Sequence, residues 1–198
     1  MVGINTSKIV DTKLTFDASK IAEIYNALYD IAYESQPSVE EVLKKYNDKD
    51  LYNKMPGFQV PVQCREGEEH NWSDRSGSDA EYKKLQPMLI GTYLEDVVNE
   101  LNKHYEKENK FICRGRFLTL DHINTGAACI VPMHTDPKDN RLNMPVISND
   151  NSFLVMDGKL NKLELGRMYH LMSSFPHSPV NLSKDEKRVH LGFTLWSK

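Results

Sequence analysis

From Phe111 to its end this chain is written in period two, and that property narrows the fold more than any other. Residues i and i+2 of an extended strand share a face, and here short alternating runs are separated by tight turns. Phe111 to Asp121, Arg141 to Ser148, Ser152 to Met156, Lys159 to Leu165, Met168 to Met172 and Lys187 to Trp196 read as strands, with Asn149-Asp150-Asn151 and Asp157-Gly158 as turns. Asp157-Gly158 joins two of the runs directly and predicts a hairpin. Many short strands with tight turns predict a sandwich or jelly roll. In the first strand Arg114, Arg116, Leu118, Leu120 and His122 share one face, provided that no bulge intervenes.

The front half has the other period. Asp17 can cap a helix in which Ile21, Ile24, Tyr25, Leu28, Ile31 and Ala32 form one apolar stripe to about Glu34. Ser38-Val39-Glu40-Glu41 offers a capping box for a short second helix with Val42, Leu43 and Tyr46. Ser78-Asp79-Ala80-Glu81 offers another, opening a long segment with Leu85, Leu89, Tyr93, Leu94, Val97, Val98 and Leu101 that Pro87 and Gly91 should kink or break. Between these, Phe58, Val60 and Val62 alternate as a strand that Pro61 pushes to a sheet edge. The polar run Arg65 to Gly77, with His70 and Trp72, reads as a surface loop, its tryptophan compatible with a lid. Helices first and strands later make an α+β arrangement, the helices packed on one outer face of the roll.

With 198 residues, a net charge of −3 and 39% hydrophobic residues, one domain can bury a sizeable core, so 1–198 is read as a single unit. Residues 1–110 form a mainly helical buttress and loop, and 111–198 the roll. No basic excess points to nucleic acid, and no apolar run is long enough to span a bilayer. Met1 to Leu14 lacks the apolar centre of a signal peptide, which gives a cytoplasmic expectation. Cys64, Cys113 and Cys129 are too widely spaced for a disulfide framework or a Cys-x-x-Cys site and are read as reduced, buried thiols. In that compartment the sequons at Asn5, Asn71 and Asn181 carry no meaning.

Chemistry concentrates in Met133-His134-Thr135-Asp136. On a strand, His134 and Asp136 point the same way and can grip one ion from one side. A third ligand must come from elsewhere, and two histidines compete: His170 in the apolar strand Met168-Tyr169-His170-Leu171-Met172, and His177 in Phe175-Pro176-His177-Ser178-Pro179, where prolines stiffen the backbone. Two imidazoles and one carboxylate on one face of an octahedron make the facial triad of non-haem Fe(II) sites, with three positions open. Arg188, followed by Val189 and His190, can present a fork to a carboxylate. Taken one at a time, each residue has a plainer role: an exposed strand pair, a loop histidine, one charge in Lys184-Asp185-Glu186-Lys187-Arg188.

Their order is what the plain roles leave unexplained. Pro132-Met133-His134-Thr135-Asp136, Arg141-Leu142-Asn143-Met144-Pro145-Val146, Gly166-Arg167-Met168-Tyr169, His177-Ser178-Pro179-Val180-Asn181 and Arg188-Val189-His190-Leu191 follow one another in the last third of the chain. So arranged, Ile130 to Leu195 resembles the double-stranded β-helix (jelly-roll, cupin-like) core of the Fe(II)/2-oxoglutarate-dependent oxygenases. It is most similar to the aspartyl/asparaginyl β-hydroxylase-like branch that includes free-proline hydroxylases.

The resemblance implies that His134, Asp136 and His177 bind iron, His177 rather than His170 being the distal ligand, and that Arg188 pairs with the far carboxylate of 2-oxoglutarate. Arg141 and Asn143 would lie near its other carboxylate, although the family carries a basic residue where Asn143 stands. The implied reaction consumes O₂, converts 2-oxoglutarate to succinate and CO₂ and hydroxylates an unactivated C–H bond. Arg116 and His122, at the mouth of the roll, suit the carboxylate of a small, amino acid-like substrate; a peptide side chain is the rival. Two other classes share the sequence pattern: a non-oxidative cupin-like protein that binds a metal and a small acid, and a catalytically silent interaction module.

Overall fold

The structure is a computed structural model that describes residues 8–34, 58–68, 78–121 and 129–198. The second helix expected at Ser38, the loop with His70 and Trp72, His122 and the turn at Gly126 lie outside the described residues. In chain order the elements are β1 (Ile9–Thr15), α1 (Ala18–Glu34), β2 (Phe58–Pro61), β3 (Gln63–Cys64), β4 (Lys84–Leu85), α2 (Tyr93–Glu106), β5 (Lys110–Leu120), β6 (Cys129–Ile130), β7 (Arg141–Ile147), β8 (Ser152–Met156), β9 (Lys159–Asn161), β10 (Arg167–Leu171), β11 (His177–Asn181) and β12 (Arg188–Ser197). Short 3₁₀ turns at Asp79–Glu81 and Pro87–Leu89 flank β4.

Two antiparallel sheets make the roll. One runs β1-β10-β7-β12-β5-β2 and the other β6-β11-β8-β9, with β3-β4 as a separate ribbon. Alternation along the large sheet explains its two faces. Leu142, Met144, Val146, Val189, Leu191, Phe193 and Leu195 pack with Ile21, Tyr25 and Leu28 of α1 and Leu94, Val97, Val98, Leu101 and Tyr105 of α2. The opposite face looks at the small sheet, because Leu154 and Met156 of β8 cluster with Tyr169 and Leu171 of β10. The fold is therefore α+β, a double-stranded β-helix with helices on one outer face. Among the described residues no helix is long and apolar enough to cross a membrane.

Local chemistry accounts for most boundaries. The Asp17 carboxylate accepts from the backbone N–H groups of Ser19 and Lys20 and starts α1 as expected. The stripe of α1 is narrower than expected, since Ile31 is exposed. Asp157 and Gly158 both take positive φ, 52° and 72°, and turn β8 into β9. Pro61 ends β2, which is an edge strand of the large sheet.

The structure differs from the sequence reading in five places. The capping box at Ser78 is formed, but it closes only a 3₁₀ turn. The break expected at Pro87 and Gly91 is there, with Gly91 at φ 80°, and α2 is the α-helix that follows it. β1 is a strand that the front half did not announce, and with β2 it joins the large sheet of the roll. His177 opens β11, a strand that the sequence reading did not include, and the strand expected from Lys159 to Leu165 ends at Asn161. Finally β5 is bulged: Arg116 pairs with Gly192 but Cys113 with Thr194, and Arg114 sits at φ 51°. The bulge takes Arg114 out of register with Arg116, Leu118 and Leu120.

The three cysteines are buried thiols, and burial pushes Cys113 up to about 12. Asn181 is fully buried. Its side chain donates to the carbonyls of Leu120 and Glu186 and accepts from Ser152, Asn149 and the Ser183 N–H. It thereby ties β11 to β5 at the end of the roll where β12 begins.

Candidate active site

His134 and His177 stand opposite each other. Each backbone N–H donates to the other's carbonyl, at 3.1 and 2.9 Å, and the ring centroids are 4.3 Å apart. His177 pairs with Met156 of β8, whose side chain lies between the sheets. Directly opposed residues of an antiparallel pair share a face, so the two imidazoles lie on the same side, His177 buried and His134, held by an isolated bridge outside any strand, exposed at the rim. Two residues further on, Asp136 is fixed by its N–H to the Ser173 carbonyl at 2.8 Å.

The ring tautomers follow from the backbone. His134 Nδ1 is 2.8 Å from the Pro132 carbonyl and His177 Nδ1 is 3.0 Å from that of Phe175. A ring nitrogen facing a carbonyl oxygen donates, which leaves Nε2 of each imidazole with a lone pair. This is how metal-binding histidines are held, the second nitrogen tied to a carbonyl. Burial is the largest influence on His177 and lowers its pKa, with His134 adding to the effect, so the ring is neutral at neutral pH. The Asp136 carboxylate accepts from Arg141 Nε at 3.0 Å through Oδ2. Among the described residues no three His, Cys, Asp or Glu side chains are gathered closely enough to hold a metal ion. By chemistry alone the donor types suit a divalent ion: two imidazole nitrogens whose rings stand side by side, and a carboxylate two residues from one of them.

His170 does not belong to this set. It pairs with Leu142, a residue of the helix-facing core, and its Nε2 is 2.9 Å from the Asp139 carbonyl.

On the facing wall, Tyr169, Asn143 and Gly192 are in register across β10, β7 and β12. Alternation therefore turns His190 and Arg188 inward as well. Arg188 is 3% exposed. Its Nε has no hydrogen-bond partner, and its Nη2 is 3.2 Å from His190 Nδ1. That same Nδ1 lies 2.5 Å from Asn143 Oδ1. One ring nitrogen cannot both donate to Asn143 and accept from Arg188, so with Nδ1–H donating to Asn143 at the shorter distance the Nη2 contact is not a hydrogen bond. Burial lowers Arg188 to about 9. Burial first and the neighbouring guanidinium second hold His190 well below the ordinary imidazole range. A buried cation that no carboxylate among the described residues pairs with is costly, and an anionic ligand would offset that cost.

Towards the mouth, Arg141 Nη1 donates to Thr194 Oγ1 and to Asp79 Oδ2. Asp79 also accepts from Arg114 and from Thr194. Arg116, opposite Gly192, is half-buried on the inward side. Sequence reasoning missed Asp79 and Thr194. The capping box marked Asp79 only as part of a turn, and Thr194 looked like one more residue of an apolar strand.

No family model matches the sequence, and no curated protein matches it. Among solved structures, a prolyl-4-hydroxylase of Pseudomonas putida superposes with a TM-score of 0.51 at 10% identity, covering 98% of this chain and 94% of that one. The likeness is one of fold. An oxidoreductase of the 2OG-Fe(II) oxygenase family from Burkholderia pseudomallei gives 0.47 at 13% identity over 93% and 94%. A salicylate 1,2-dioxygenase from Pseudaminobacter salicylatoxidans gives 0.32 at 15% identity, and the 51% of this chain that matches spans 32% of that protein's length.

Proposed function

We propose that the protein is a non-haem Fe(II)- and 2-oxoglutarate-dependent dioxygenase that hydroxylates an unactivated C–H bond of a free amino acid or another small carboxylate. The observation that carries this reading is Arg188: a buried guanidinium that no carboxylate among the described residues pairs with, on the sheet opposite the strand of His177, whose Nδ1, like that of His134, is tied to a carbonyl. In this reading His134, Asp136 and His177 hold Fe(II), and Arg188 anchors the far carboxylate of 2-oxoglutarate. Iron and 2-oxoglutarate together supply O₂ activation coupled to loss of CO₂.

The chain's own residues then have defined tasks. Phe175 and Pro132 carbonyls keep both imidazoles in the ligating tautomer. His190, held neutral, adds no second positive charge beside Arg188. Asn143, in contact with His190, fixes that ring, and Arg141 orients the free oxygen of Asp136. Arg116 on the inward face is a candidate partner for a substrate carboxylate. His122 is proposed for the same role on sequence grounds alone.

The test is succinate formation in air with Fe(II) and 2-oxoglutarate, screened over free amino acids and short peptides. A free amino acid that stimulates succinate several-fold over the uncoupled background supports the reading. Stimulation only by peptides moves the substrate class. Binding of both metal and 2-oxoglutarate with no succinate in any arm replaces it with the non-oxidative, acid-binding alternative.

A further inference from the structure

At the mouth of the roll four charged side chains alternate in sign. Asp136 accepts from Arg141 Nε, Arg141 Nη1 donates to Asp79 at 3.0 Å, and Asp79 accepts from Arg114 through its other oxygen. Thr194 Oγ1 donates to Asp79 at 2.9 Å and closes the group. All four charged side chains are between 15% and 24% exposed, so solvent screens them less than surface pairs. Burial alone would push the Asp79 carboxyl up, but hydrogen bonds and charge from Arg114, Thr194 and Arg141 hold it below the usual carboxylate range.

Asp79 reaches this position from outside the roll. Its turn is fixed twice, by the Ser78 capping box and by the Arg114 N–H donating to the Tyr82 carbonyl at 2.7 Å. The second bond is made at the bulge, where Arg114 takes positive φ. The turn is therefore docked on β5 by backbone, and its carboxylate is left for the two arginines.

We propose that Asp79 is a positioning residue for the cation site: it divides the Arg141 guanidinium between two carboxylates, so that Asp136 keeps one oxygen and most of its negative charge for a divalent ion. This rests on the cation site proposed above. Without Asp79, Arg141 would turn its whole charge on Asp136 and compete with the ion, and two guanidinium groups would flank a dication with one carboxylate fewer. Asp79 itself need not touch the ion.

Mn(II) titration followed by the electron paramagnetic resonance of the free ion reads this without 2-oxoglutarate, O₂ or turnover. Asp79→Asn keeps the shape of the side chain and removes its charge; Mn(II) affinity is expected to fall roughly tenfold or more, as for other partners behind metal ligands. Arg141→Met in the same background removes the cation set loose and is expected to recover most of the loss. Arg114→Met, which takes a positive charge from Asp79 without touching Asp136, is expected to leave affinity equal to the parent's or higher, and keeps the test open if Asp79→Asn does not fold. A double variant as weak as Asp79→Asn would make Asp79 a structural anchor only and overturn the proposal. So would parent-like affinity in Asp79→Asn, or a tenfold loss in Arg114→Met. A parent that binds no Mn(II) overturns the cation site itself, and this inference with it.

Discussion

His134 and His177 exchange both backbone hydrogen bonds, and their rings meet at 4.3 Å between centroids. The imidazole pair is thus set by the chain's own pairing and does not wait for an ion to assemble it. His177→Ala is expected to abolish tight Fe(II) binding, whereas His170→Ala, which loses one bond to the Asp139 carbonyl, should keep it and cost about 0.5–1.5 kcal/mol. Iron content after gel filtration, beside a denaturant titration, separates the two. Stoichiometric iron in His177→Ala with loss in His170→Ala would reverse the assignment.

Arg188→Met makes opposite predictions for ligand and fold. Losing a charge-assisted fork is expected to weaken 2-oxoglutarate by roughly 30- to 1,000-fold. The unliganded protein should be no less stable than the parent, because the side chain removed is a buried cation with an unpaired Nε. Isothermal titration at matched iron occupancy and a urea melt without ligand check both. A large loss of unliganded stability would mean that Arg188 has a structural partner.

Much of the roll was readable from residues. The Asp157-Gly158 hairpin, the Asp17 cap and the Pro61 edge each follow from a local preference that the fold had no reason to override. The departures arise where tertiary contacts decide. β1 is an edge strand held by pairing with β10, and no alternation within it announces that partner. The β5 bulge depends on a residue without positive-φ preference, Arg114, which is kept there by Tyr82 and Asp79. His134, Asp136, His177 and Arg188 could be named because their types and order are distinctive. Asp79 could not, because what gives it meaning is the arrival of Arg114, Arg141 and Thr194 from three strands.

Burial of neutral imidazoles predicts acid sensitivity. His177 and His190 have folded-state pKa values lowered from an ordinary 6.5, both with burial as the largest cause. The unfolded chain takes up protons on them first as the pH drops. Their contribution to stability is fully present above about 6.5 and is lost progressively as the pH falls from there towards the lowered folded-state values. Urea midpoints should fall between pH 7.5 and 5.5 more steeply in the parent than in His190→Gln. Parallel slopes would mean that His190 does not titrate differently in the two states.

Gly166 marks where the front of the chain is stapled to the roll. It takes φ 71°, accepts from the Phe16 N–H at 2.8 Å and donates to the Pro145 carbonyl at 2.9 Å, and an added Cβ would come within 2.3 Å of the Phe16 carbonyl oxygen. Gly166→Ala is expected to cost about 2–4 kcal/mol from strain and clash together. Gly158→Ala, at a similar φ with open space around it, should cost about 1 kcal/mol. Equal losses by denaturant titration would put the effect in backbone strain alone.

The central claim is that one pocket takes Fe(II) and 2-oxoglutarate together. Anaerobic addition of both to the metal-free protein, followed in the visible, tests it most directly. A weak charge-transfer band that needs both components, is absent in His177→Ala and requires far more 2-oxoglutarate in Arg188→Met is the predicted result. No band in the parent at saturating Fe(II) and 2-oxoglutarate would contradict the account.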